Sequence, residues 1–219
     1  MPIVNLRTRQ LICKIVYFGP SLGGKTTSIK AIHDVAPEAN RSALQTIQTE
    51  GDRTLFFDFF SMELASAGGL QVRFQVYGVP GQAFYRATRK MVLTGADGIV
   101  FVADSAADRL ADNLASYEDL KDLLQEHSYR YEDLPLVMQY NKRDLAETIA
   151  VETFEICLNE RKAPYFESVA TEGKGVREPF KAVCRQVLEK INRDTACIRR
   201  DHQPAAGASN ISSAGAVSD

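Results

Sequence analysis

The sequence predicts an α/β fold, a mostly parallel sheet of six strands with one antiparallel edge strand and helices on both faces. Three observations point there. Strand-like and helix-like segments alternate along most of the chain; one adjacent pair of strand-like runs breaks the alternation; and a glycine-rich turn follows the first buried strand. In order, residues 11–18 form a short apolar run ending in Gly19, Gly23 and Gly24, and a helical stretch carrying Ile29 and Ile32 follows. Residues 37–53 are polar and without clear period, and so long a loop in a compact domain is expected to be functional. Residues 54–64 and 70–77 are joined by five residues, too few for a helix, which predicts an antiparallel hairpin. In its second strand Leu70, Val72, Phe74 and Val76 alternate with Gln71, Arg73 and Gln75. Residues 98–104 read as a central strand, after which Leu110, Leu114, Tyr117, Leu120 and Leu124 recur at helical spacing. Residues 135–140 are another strand, Val151, Phe154 and Leu158 mark a helix, and residues 165–169 a last short strand. Phe180, Val183, Cys184, Val187, Leu188 and Ile191 line a final amphipathic helix opened by Pro179.

The composition suits one soluble domain. Of 219 residues, 45% are hydrophobic and 25% charged, enough for one substantial core. With 26 basic against 28 acidic residues the formal charge is −2, which supplies no field to draw the chain onto nucleic acid or an anionic membrane. Cys13, Cys157, Cys184 and Cys197 lack the paired spacing of a zinc site and are expected reduced and intracellular. His33, His127 and His202 lie too far apart to suggest a metal site. Lys14 interrupts the only apolar run near the start, so no signal peptide or membrane anchor is expected, and Val217-Ser218-Asp219 is not a prenylation box. The domain is expected over residues 1–200, with a disordered tail over residues 201–219.

Residues 19–26, GPSLGGKT, match G-x-x-x-x-G-K-[ST] after a buried strand and at the head of a helix. Gly19, Ser21, Leu22, Gly23 and Gly24 let backbone N–H groups turn toward a phosphate at the helix N-terminus, with Thr27 following. Lys25 reaches the terminal phosphates and the Thr26 hydroxyl ligates magnesium. Alone, this motif indicates a nucleotide but not its base. Residues 141–144, NKRD, supply the base, because they follow a strand at its carboxyl end, where open α/β sheets bind ligands. The Asp144 carboxylate can accept from both the ring N–H and the amino group of guanine, a donor pair that adenine lacks. An N-K-x-D tetrapeptide by itself reads as a charged loop; following the phosphate loop in this order, it reads as a guanine site.

The stretches CKIVYFGPSLGGKTT, TEGDRTLFFDF, VPGQAFYRATRK, DGIVFVADS and QYNKRDL resemble the Ras-like superfamily over residues 11 to about 195. Within it they are most similar to the bacterial polarity and gliding-motility GTPases of the MglA type. The resemblance implies a GTP-binding switch, a small GTPase that hydrolyses GTP to GDP and phosphate with magnesium, slowly without an activator. It implies that Asn141 ties its loop to the phosphate loop, that the stem of Lys142 lies along the base, and that Val169 and Ala170 lie at the base, Ala170 offering its amide to the guanine carbonyl. It places Thr54 in the first switch against magnesium and the γ-phosphate, Gly81 and Gln82 in the second with Gln82 orienting the attacking water, and Arg53 as an arginine supplied from the chain itself. It also implies a roadblock-domain activator, polarity or motility effectors at the switches, and a cytoplasmic protein, monomeric alone, recruited to a cell pole by partners.

Two departures matter. Residues 76–82, VYGVPGQ, carry Gly78 where Ras-like proteins usually place a magnesium-supporting aspartate; the MglA group departs there too, and the outer water shell is expected to be met by Asp58 or Asp104, or left to solvent. Ser21 puts a side chain where the family usually keeps glycine, which leaves open a second reading, a nucleotide-bound regulatory scaffold with very weak hydrolysis. A P-loop kinase or ATPase is a third reading, which NKRD opposes. Phe56, Phe57, Phe59 and Phe60 predict an aromatic strand at the sheet edge, a surface for a docked protein.

Overall fold

The computed structural model describes residues 2–5, 7–48, 56–67, 70–127 and 129–201. Its strands are β1 (Ile3–Asn5), β2 (Gln10–Phe18), β3 (Gln45–Gln48), β4 (Phe56–Ala67), β5 (Leu70–Gly78), β6 (Gly98–Asp104), β7 (Leu136–Asn141) and β8 (Tyr165–Ser168). Its helices are α1 (Lys25–Val35), α2 (Arg86–Leu93), α3 (Leu110–Glu126), α4 (Val151–Cys157) and α5 (Arg177–Asp201). The order across the sheet is β3-β4-β5-β2-β6-β7-β8, with β1 beside the start of β2. Strands β5, β2, β6, β7 and β8 are mutually parallel, whereas β3–β4, β4–β5 and β1–β2 pair antiparallel.

Sequence chemistry explains the layers. Every residue of β6 and β7 is buried, as a parallel strand covered on both faces requires. On one face Ile29 and Ile32 of α1 and Phe180, Val183 and Val187 of α5 pack over Ile15, Tyr17, Val100 and Val102. On the other, Val92 and Leu93 of α2, Tyr117, Leu120 and Leu124 of α3 and Phe154 of α4 pack over Val16, Phe18, Phe101 and Tyr140. Successive side chains of each central strand therefore feed two separate cores. Both sheet faces converge on the carboxyl ends of β2, β6 and β7, where residues 19–24 and 141–145 emerge.

Four expectations need correction. The sheet has eight strands among the described residues, not six, because β1 and β3 are only three and four residues long, too short to show a period. The second of these lies inside the stretch read as loop. Helix α2 was not among the predicted elements; four of its eight residues are polar. The aromatic strand β4 is not the edge, since β3 covers it from Gln48↔Phe56 to Gln45↔Phe59. Phe60 is fully buried with the His33 ring edge-on to it, and Phe59 packs at a tilt against Tyr77 with centroids 4.8 Å apart, so neither offers a free apolar edge. Of the cysteines, Cys13 and Cys184 are buried and Cys157 is exposed. Burial, reinforced by Asp97, pushes the Cys13 thiol up to about 12. Of the tail expected over residues 201–219, Asp201 is the last residue of α5 and the rest lies outside the described residues. No described helix is long and apolar enough to cross a membrane.

Candidate functional site

Residues 19–24 wrap from the end of β2 back to α1, which begins at Lys25. Lys25 is only 6% exposed, and its Nζ donates to the carbonyls of Gly19 at 2.8 Å and Pro20 at 2.6 Å. Burial, with repulsion from the Arg89 guanidinium, draws its ammonium down to about 7, and Asp58 pulls the other way. A phosphate in the cradle favours the charged form of this amine. Gly24 has φ 99°, and a Cβ there would come within 2.1 Å of Asn141 Nδ2; glycine is needed both for the left-handed backbone and for the close approach. Leu22 takes φ 62° without being glycine, and its side chain is 83% exposed at the rim.

A cleft of about 460 Å³ opens over this loop, with Ser21, Lys25, Thr26, Thr27, Gly81 and Gln82 in its walls. Its far wall carries a carboxylate beside Gly78. Strand pairing sets Asp58 of β4 directly opposite Gly78 of β5. Asp58 is 2% exposed; its Oδ2 accepts from Thr26 Oγ1 at 2.5 Å and its Oδ1 from Thr46 Oγ1 at 2.9 Å. A Cβ on residue 78 would lie 3.6 Å from Asp58 Oδ2 and strike Ile29 Cδ1 at 2.5 Å. The neighbouring strand thus brings a carboxylate to the place where residue 78 supplies none. Asp104, the other candidate acid, is committed elsewhere: its Oδ2 lies 2.6 Å from Lys142 Nζ and 3.7 Å from Arg109 Nε. Thr26 and Asp58 form an oxygen donor set that fits magnesium, which takes few protein ligands and retains waters.

Val79 and Pro80 are buried, and the chain at Gly81 lies directly on the phosphate loop: a Cβ there would meet Ser21 N at 2.4 Å. Gln82 is exposed at the rim, while its carbonyl accepts from Arg89 Nη1 at 2.5 Å. Arg89 also bonds Asp119 of α3 through Nε at 2.8 Å, so one buried guanidinium holds the second switch-like loop against two helices. Arg53 and Thr54 lie outside the described residues.

On the base side Asn141 Nδ2 donates to the Gly23 carbonyl at 3.0 Å, the predicted tie between the loops. Its Oδ1 accepts from Ser168 Oγ at 3.0 Å and from the Ala170 amide at 2.9 Å. The amide expected to face a guanine carbonyl is therefore bonded to Asn141, and the Val169 amide goes to the Lys174 carbonyl. Lys142 holds φ 67° with its Nζ on Asp104. Asp144 is exposed on the same loop. Sequence reasoning missed Arg89 and Arg109; the latter donates from Nη2 to the Ser21 carbonyl at 2.9 Å. The available signal for Arg89 was its place among Thr88, Val92 and Leu93 on the buried stripe of α2. A larger hollow of about 910 Å³ lies elsewhere, beside Asp97, Pro135 and Lys190, and contains none of the predicted residues.

A phosphate cradle tied by an asparagine to an N-K-x-D loop, at the carboxyl ends of a parallel sheet, defines a guanine-nucleotide-binding P-loop protein. The sequence model of the Ras family matches residues 14–189, and the chain belongs to that family. It is a small GTPase, a GTP-binding switch that hydrolyses GTP. The chain is 44% identical over 193 residues to the mutual gliding-motility protein MglA of Myxococcus xanthus, covering 88% of this chain and 99% of that one. It is 25% identical to the Ras-related protein Rab7 of Drosophila melanogaster, over 83% of each chain. To the Ras-related protein SEC4 of Saccharomyces cerevisiae it is 24% identical, over 86% of this chain and 80% of that protein.

Proposed function

We propose that this GTPase serves cell polarity or gliding motility, the second being the role in the name of its Myxococcus relative, through partners that bind its switches. A roadblock-domain activator and a cytoplasmic location with recruitment to a cell pole belong to the same reading. Within the site, residues 19–27 hold the phosphates, Asn141 and Lys142 support the base, and Asp144 reads it. Thr26 and Thr54 would hold magnesium, with Asp58 orienting Thr26; the ion, when bound, offsets charge on the transferring phosphoryl group. Gln82 positions the attacking water, and Arg53 and Lys25 balance the charge that develops. The observation that carries this reading is the bond from Asn141 to Gly23, which joins two motifs 118 residues apart. Nucleotide calorimetry on the full chain tests it. GTP and GDP should bind and ATP should not, and Asp144→Asn should shift preference from guanine to xanthine nucleotides, since an amide can donate to the xanthine carbonyl. Equal binding of GTP and ATP would end the reading.

The scaffold alternative has one observation in its favour: Gly81 lies against the Ser21 amide, and Ser21 itself lines the cleft. Single-turnover hydrolysis by the chain and by Ser21→Gly decides between them. Weak turnover that glycine restores supports the scaffold; ready turnover by the natural serine removes it.

A further inference from the structure

Gln139, in the middle of β7, is an amide fully buried in a strand whose neighbours are apolar. Its Nε2 donates to Ser28 Oγ and to Ser168 Oγ, each at 2.9 Å. Both hydroxyls pass the bond on. Ser28 Oγ donates to the Gly24 carbonyl at 2.9 Å, inside the phosphate loop, and Ser168 Oγ donates to Asn141 Oδ1 at 3.0 Å. Asn141 then closes the path by donating to the Gly23 carbonyl at 3.0 Å. The result is a closed circuit of hydrogen bonds running from the phosphate loop through α1 and β7 to both base-side loops and back.

We infer that Gln139 is a positioning residue: through Ser28 and Ser168 it sets the separation between the phosphate cradle and the base reader, and so governs how well one nucleotide engages both. This deepens the proposed guanine-nucleotide site and rests on it. The direction of the bonds supports the assignment. Because each serine already donates to a fixed acceptor, each can only accept from Gln139, and the side-chain NH₂ is the group with two protons to give. The cost is visible in Gln139 Oε1, which is buried without a partner among the described residues. An apolar side chain would avoid that cost, so the amide costs stability and supplies geometry instead. Neither motif alone encodes the distance between them, and a ligand spanning two half-sites gains only when both are in register.

The test compares a ligand that spans both halves with one that touches only the cradle. In the full-length chain, Gln139→Leu keeps side-chain volume and removes both donations. GDP affinity is expected to fall about tenfold, the size set by two neutral hydrogen bonds, while inorganic pyrophosphate, competed against fluorescent GDP, binds within about twofold of the natural chain. The thermal midpoint without nucleotide should stay level or rise. Should Gln139→Leu fail to fold, Ser28→Ala and Ser168→Ala open the circuit without altering β7, and each should weaken GDP selectively. Combined with Gln139→Leu, either should cost less than the sum of the two single variants, because the bond to Gln139 is lost only once. Unchanged GDP affinity in folded variants overturns the inference, and so does an equal loss for GDP and pyrophosphate. A natural chain that binds no GDP would instead overturn the guanine-nucleotide reading itself.

Discussion

Asp58 shows how a neighbouring strand can bring a carboxylate to a place where the local residue supplies none. Its carboxylate holds the Thr26 hydroxyl at 2.5 Å and stands opposite Gly78, so it is placed to orient Thr26, the threonine proposed to meet magnesium. Removing a group that orients a metal ligand typically costs about 10–100-fold in metal affinity. Asp58→Ala should therefore raise the magnesium concentration needed to retain nucleotide by that factor. Asp104→Ala should leave the magnesium midpoint in place, because Asp104 faces Lys142 and Arg109 rather than Thr26. A magnesium titration of nucleotide release reads both variants, and an unmoved midpoint in Asp58→Ala would remove the carboxylate from the metal site. In the sequence Asp58 and Asp104 were equal candidates. Choosing between them takes the register of β4 on β5, which no local pattern encodes.

At the scale of elements, α2 and the loop before it behave as one unit held by Arg89. The guanidinium is 5% exposed and joins Asp119 of α3 to the carbonyls of Pro80 and Gln82. Asp119 is partly exposed, so the pair is worth less than a fully buried one. Arg89→Ala should cost about 2 kcal/mol, lowering Tm by roughly 4–8 °C for a domain of this size. It should slow single-turnover hydrolysis more than it weakens GDP binding, since Gln82 loses its tether while the cradle keeps its own bonds. A variant with normal turnover but lowered Tm would make Arg89 a packing residue only. The two nucleotide motifs were legible because each is a contiguous run whose chemistry lies in its residue types. The tether was not, because a lone arginine on an apolar stripe acquires meaning only from the carbonyls it reaches.

For the whole molecule, alternating segments with an intervening hairpin were enough to specify a mostly parallel sheet with two covered faces. Periodic apolar runs of the length of β2, β6 and β7 must be buried on both sides, and connections between parallel strands require helices. The same reasoning located the phosphate cradle and the base reader, since both follow such strands at their carboxyl ends. It failed for β1 and β3, which are too short to carry a period, and hence for the sheet edge, where β3 covers the aromatic strand that was expected to be free. The sequence by itself determined the family, the nucleotide class and the contiguous motifs, because backbone-lining glycines and a strand-end carboxylate act through local chemistry. Only the tertiary structure decided which acid stands beside Thr26, that Arg89 clamps the loop at Gln82, and that Gln139 spans the two halves of the site. The contacts Thr26–Asp58, Arg89–Asp119 and Ser28–Gln139 join residues 30 to 111 positions apart, and their geometry exists only once the strands have paired.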